Sequence, residues 1–163
     1  MLTQEHLKSL LHYDPETGIF TNRVARSKRS KIGSIAGSKE KTGYTRIIIG
    51  YKRYRAHRLA WLYMTGEMPE KMIDHKNGIK SDDRFCNLRQ AIMSENKFNQ
   101  GKQLNNISGH KGVSLHRQTG KWRARGNKDG KEFHLGLFKS KEDAIDAYKK
   151  FAIENHNEFL NLK

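Results

Sequence analysis

The stretch from Gln100 to Gly109, rich in Asn, Gln, Gly and Ser, divides this chain more sharply than any other feature. Such a composition reads as a linker, so each side must bury a hydrophobic core of its own. Covalent staples are not available for the task. The single cysteine, Cys86, excludes an internal disulfide and every zinc site that needs paired thiolates. Stability must come from packing, and a content of 35% hydrophobic and 30% charged residues in 163 allows only modest cores.

Charge narrows the function. The chain carries 32 Lys and Arg against 17 Asp and Glu, a formal charge of +15, which points to a polyanionic partner. From Thr21 to Arg58 there are twelve basic residues and one acid, Glu40; from Lys111 to Lys131 there are seven and one. The segment Lys139 to Glu158 has four basic and five acidic residues, so one face of the C-terminal part is basic and its backing is not. No run of 18 apolar residues exists, and Met1-Leu2-Thr3-Gln4-Glu5 does not open a leader. A soluble, cytoplasmic protein with no membrane partner is the expectation.

Local patterns give a coarse order of elements. Leu7, Leu10 and Leu11 behind Thr3 predict an amphipathic helix over residues 4–12, stopped by the turn Asp14-Pro15-Glu16-Thr17-Gly18. A strand begins at Ile19, residues 27–43 read as an irregular loop, and Tyr44 to Ile49 with Lys52 to Ala56 form a hairpin about Gly50-Tyr51. His57 to Thr65 reads as a buried helix stopped by Gly66. Beyond the linker, Gly112–His116, Lys121–Arg125 and Glu132–Leu137 predict a three-stranded meander, followed by a helix with a capping box at Ser140.

The chemistry is concentrated between residues 72 and 99: Met72-Ile73-Asp74-His75-Lys76-Asn77-Gly78, then Asp82-Asp83, then Cys86-Asn87-Leu88-Arg89, then Ser94-Glu95-Asn96-Lys97-Phe98-Asn99. This pattern resembles the HNH endonuclease family, and the upstream His57-Arg58-Leu59 is similar to a helix start of its phage-encoded members. The resemblance implies a compact ββα fold around one metal ion. His75 would be the general base that deprotonates water, while Asp74 and Asn96 would hold a single Mg²⁺ or Mn²⁺ ion with positions left for water and phosphate oxygens. Asn87 would hold the loop that orients His75, and His57 would support the site from the adjoining helix.

Residues 108 to 162 resemble the APETALA or ethylene-response-factor type of DNA-binding domain. The residues that carry the likeness are Lys111-Gly112-Val113, Gly120-Lys121-Trp122, Leu135-Gly136-Leu137-Phe138 and the helix from Glu142 to Tyr148. In that family the sheet meets DNA. Strand alternation supports the same face independently: Trp122 and Ala124 turn to the helix, so Arg123 and Arg125 project away from it. The expected DNA contacts are Lys111, His116, Arg117, Lys121, Arg123, Arg125 and His134, with Arg53 and Arg55 of the first hairpin.

The sequence thus predicts an α+β protein, with a ββα-metal nuclease core over residues 1–100, a linker over 101–107 and a three-stranded sheet with one packed helix over 108–163. The expected function is hydrolysis of phosphodiester bonds in double-stranded DNA by a site-preferring endonuclease of the homing type. It would be a monomer, working in the host cytoplasm if phage-encoded. The alternative is a DNA-binding regulator on an inactive nuclease fold, and the presence of Asp74, His75 and Asn96 together weighs against it.

Overall fold

The computed structural model describes residues 2–25, 27–28, 30–93, 106–128 and 130–156. Two compact units divide the chain, Met1–Ala91 and Ile92–Lys163. Among the described residues there are three α-helices and four small antiparallel sheets.

In the first unit, helix α1 (Gln4–Leu10) is capped by the Thr3 hydroxyl, which accepts the His6 backbone N–H at 3.2 Å. The helix is shorter than its leucine spacing predicts. Leu11 already has extended backbone and opens β1 (Leu11–Asp14), which pairs with β2 (Ile19–Asn22). Pairing overrides the helical period because Leu11 and Tyr13, two residues apart, are both buried on one face of this hairpin. The predicted turn between the strands is present: the Asp14 carboxylate accepts the Glu16 N–H at 2.9 Å and the Thr17 hydroxyl at 2.7 Å.

Residues 27–43 are more ordered than expected. Ile35 bridges to Thr21, and β3 (Ser38–Lys39) pairs with β4 (Thr45–Ile49), which pairs in turn with β5 (Lys52–Arg55). Helix α2 (Ala56–Thr65) follows without a break and ends where predicted, at Gly66, whose φ of 90° lets its N–H return to the Leu62 carbonyl. Its buried side, Leu59, Ala60 and Leu62, joins Leu7, Leu11, Tyr13, Phe20, Ile47 and Leu88 in the core of this unit. A last hairpin consists of β6 (Met72–His75) and β7 (Leu88–Ala91), joined by a long loop that ends in a short 3-10 turn at Phe85–Asn87.

The second unit is the predicted meander. Strands β8 (Val113–His116), β9 (Lys121–Lys128) and β10 (Lys131–Phe138) form one sheet with β9 in the centre, and α3 (Lys141–His156) packs on it through Ala144, Tyr148 and Ala152. The Ser140 hydroxyl accepts the Asp143 N–H at 3.0 Å at the helix start. Gly126 explains the close approach: a Cβ there would lie 2.2 Å from the Phe151 ring. No helix among the described residues is long and apolar enough to cross a membrane.

Candidate active site

Four segments converge on His75. The register of the β6–β7 hairpin sets Asp74 opposite Arg89 and His75 opposite Leu88, so the adjacent Asp74 and His75 side chains leave the strand on opposite faces. On one face, Arg89 holds Asp74: its Nε donates to Asp74 Oδ2 at 2.9 Å and its second guanidinium nitrogen lies 2.8 Å from the same oxygen. Both residues are buried. On the other face, His75 Nε2 donates to Asp83 Oδ1 at 2.9 Å, and these two are buried as well.

Asp83 is delivered by the loop between β6 and β7, and that loop is held by asparagines. Asn87 accepts the Asn77 backbone N–H at 3.0 Å through Oδ1, and through Nδ2 it donates to Asn77 Oδ1 at 3.1 Å and to the Asp82 carbonyl at 2.8 Å. The β1–β2 turn braces the same backbone from outside. Tyr13 Oη donates to the Asp83 carbonyl at 2.7 Å, and the Phe85 N–H reaches the Pro15 carbonyl at 3.1 Å. Gly18, at φ 74°, sits so close that a Cβ would lie 2.5 Å from the Asp83 carbonyl carbon and the Arg84 nitrogen.

His57, near the start of α2, completes the cluster. Its Nδ1 lies 3.9 Å from Asp83 Oδ1, and its ring meets that of His75 edge-on at 5.0 Å. Burial, with His75, Arg58 and Arg55 nearby, pushes His57 down to about 3, so it is a neutral imidazole. Its buried Nδ1 makes no hydrogen bond among the described residues. Tyr44 packs against both rings, 5.3 Å from His57 and 5.9 Å from His75, and carries Arg55 and Lys80 over its own ring at 4.9 and 5.3 Å.

The structure therefore brings His57, His75 and Asp83 together, each offering a ligand atom within 4.8 Å of the others. Asp74 lies beside them on the far face of the hairpin, and Asn87 staples the loop. Asn96 falls outside the described residues, as do Ser94 and the helix expected there. The sequence pattern includes Asp83 and Arg89 but gives neither a role, and it does not single out Tyr44. For Arg89 a signal exists, because pairing the two strands by their ends sets it opposite Asp74. Which of the neighbours Asp82 and Asp83 turns inward is decided by the loop, and Asp82 turns out to Arg84 at 2.6 Å.

The other expected contacts are spread over both units. Arg53 is exposed on β5, and among the described residues it makes no ion pair; Arg55 is bonded to Glu40. In the second unit Arg123 and Arg125 lie on the sheet face opposite α3, beside Ser114 and His134 in register. Arg125 donates to both Glu132 carboxylate oxygens at 3.1 Å, and His116 Nδ1 lies 2.9 Å from the Thr119 hydroxyl. Lys111 and Arg117 lie just outside these strands, and Lys121 opens β9 opposite His116.

The family model described as HNH endonuclease matches residues 54–97, a span that holds His57, Asp74, His75, Asp83, Asn87 and Asn96. The chain is also similar to "Protein 3.8" of Escherichia phage T7, 34% identical over 86 residues that cover 52% of this chain and 71% of that one. The chain carries an HNH endonuclease domain. A solved structure described as "DNA binding and cleavage by the HNH homing endonuclease I-HmuI" aligns with a TM-score of 0.42 and 27% identity, over 56% of this chain and 51% of that one. This HNH chain thus spans about half the length of that protein. The family match ends at residue 97 and so reaches only the first six residues of the second unit.

Proposed function

We propose that this HNH chain is a metal-dependent endonuclease acting on double-stranded DNA. In this reading residues 1–100 form a nuclease domain of the ββα-metal type, 101–107 a linker, and 108–163 a module that holds the substrate. One observation carries it: within the matched segment, His75 Nε2 bonds to buried Asp83 at 2.9 Å. A carboxylate can only accept, so Nε2 keeps its hydrogen and the lone pair stays on Nδ1. An imidazole held in that tautomer is a general base for water, and Asp83 stabilises the positive charge once the proton arrives.

Asp74 and Asn96 would hold one divalent ion, Mg²⁺ or Mn²⁺. The Asp74 carboxylate is oriented by Arg89, and with a neutral amide oxygen from Asn96 it would make a sparse oxygen set that suits a hard cation. When bound, the ion supplies a positive centre for charge that builds on the phosphate and the 3′ oxygen. The unbonded Nδ1 of His57 favours a second reading, in which His57, His75 and Asp83 take a borderline transition ion such as Mn²⁺.

The basic sheet face, with Arg123 and Arg125, is assigned to the DNA backbone and grooves on the strength of strand alternation and of the sequence resemblance to the APETALA or ethylene-response-factor type. A homing-type, site-preferring enzyme is the reading that the sequence resemblance carries, and the likeness to a phage protein is in keeping with work in a host cytoplasm. Supercoiled plasmid incubated with Mg²⁺, Mn²⁺ or EDTA tests the activity. Metal-dependent nicking or linearisation that His75→Ala abolishes without loss of DNA affinity is the expected result; tight binding with no cleavage under any metal would favour the regulator instead. Mn²⁺ binding followed by electron paramagnetic resonance separates the two metal readings, since His57→Ala weakens it only in the second.

A further inference from the structure

Gly50 and Tyr51 form the two-residue turn between β4 and β5, closed by the pair Ile49 and Lys52. Both have positive φ, 52° and 66°, as a type I′ turn requires. The second position of such a turn favours glycine, and here it is a tyrosine. Tyr51 is the one non-glycine residue with positive φ among the described residues, and its side chain is fully exposed. A bulky residue held in this conformation costs stability and marks a place where the side chain has a use.

Its surroundings say what the use is. Away from the core, the hairpin face carries Arg46, Ile48, Arg53 and Arg55, with Arg46 opposite Arg55 and Ile48 opposite Arg53. Glu40 pairs with Arg46 and Arg55 near the base of the hairpin. Toward the tip, Lys52 and Arg53 are exposed, and among the described residues no acid pairs with them. A flat phenol ring beyond two cations, at the tip of the hairpin where β4 and β5 run on past the residues paired with β3 as a two-stranded ribbon of the width a DNA groove admits, complements a duplex in charge and in its stacked bases.

We propose that the β4–β5 hairpin enters a groove of double-stranded DNA and that Tyr51 packs its ring against base edges or into a base step. This inference rests on the reading of the protein as a DNA-binding nuclease. It adds an aromatic contact that owes its affinity to stacking and desolvation, unlike the salt-dependent arginines around it.

The test uses the full chain and mixed-sequence 30-base-pair duplexes. Tyr51→Gly is expected to weaken binding about tenfold with an unchanged slope of affinity against salt, while raising the thermal midpoint by about 2–4 °C because the positive φ is relieved. Tyr51→Trp retains affinity. Arg53→Ala, by contrast, lowers the salt slope by about one. Duplexes carrying 5-iodouracil should photocrosslink to the peptide that contains Tyr51. Wild-type affinity in Tyr51→Gly, or no crosslink at Tyr51 with the duplex bound, overturns the proposal. If the wild-type chain binds no duplex at low salt, the DNA reading itself falls and this contact with it.

Discussion

His75 Nε2 and Asp83 Oδ1 lie 2.9 Å apart, both buried, across a loop of seven intervening residues. The pair has the form of a base and its orienting acid, in which the carboxylate fixes the tautomer and takes no proton itself. Asp83 is a positioning residue in this scheme. Asp83→Asn should lower the cleavage rate by about 10²-fold or more, since an amide can present its N–H to Nε2 and favour the wrong tautomer. DNA affinity should change less than about twofold. Nitrogen NMR of labelled histidine checks the cause: the His75 tautomer should shift in the variant, and an unchanged spectrum would remove the orienting role.

The buried Asp74–Arg89 pair makes a second, separable prediction. Asp74→Ala leaves a guanidinium buried beside an alanine and should cost roughly 3–5 kcal/mol of stability. Arg89→Met added to it should recover a large part. Urea unfolding of the single and double variants measures this. Equal stability of Asp74→Ala and wild type would mean that Arg89 finds another partner.

Gly18 couples the first hairpin to the site. A methyl group there would meet the Asp83 and Arg84 backbone at 2.5 Å, on a residue already at positive φ. Gly18→Ala should therefore cost about 1–3 kcal/mol and reduce cleavage as Asp83 is displaced. Unfolding midpoints and initial cleavage rates, taken together, test the coupling; an intact rate in a destabilised variant would show that the turn braces the fold without setting the site.

Lys111, in the second unit, carries a pH signature. Burial pushes its ammonium down to about 8, below the ordinary lysine value near 10.5. Between those values the unfolded chain binds more protons than the folded one, so stability should rise as pH increases from about 8 to about 10.5. Below pH 8 both states are protonated and this contribution is flat. Lys111→Met should be the more stable form at pH 7 and should flatten the rise. Unfolding by guanidinium at pH 7, 8.5 and 10 follows it.

A large part of the fold was legible in residue order. Gly66 stops α2 because a positive φ is open to glycine, the Ser140 box starts α3, and the alternation in β9 sends Ala124 inward and Arg123 outward whatever surrounds them. The family pattern around Asp74, His75 and Asn87 was legible for the same reason: it depends on residue type and spacing. Three things were decided only by tertiary contacts. Leu11 left the helix its spacing predicts because strand pairing with Asn22 outweighed local propensity. Asp83 rather than Asp82 became the partner of His75, since Tyr13, Gly18 and Asn87 fix the loop from residues up to 70 positions away. His57 reached Asp83 because α2 packs its apolar side into the core, and no spacing rule carries a side chain across that distance.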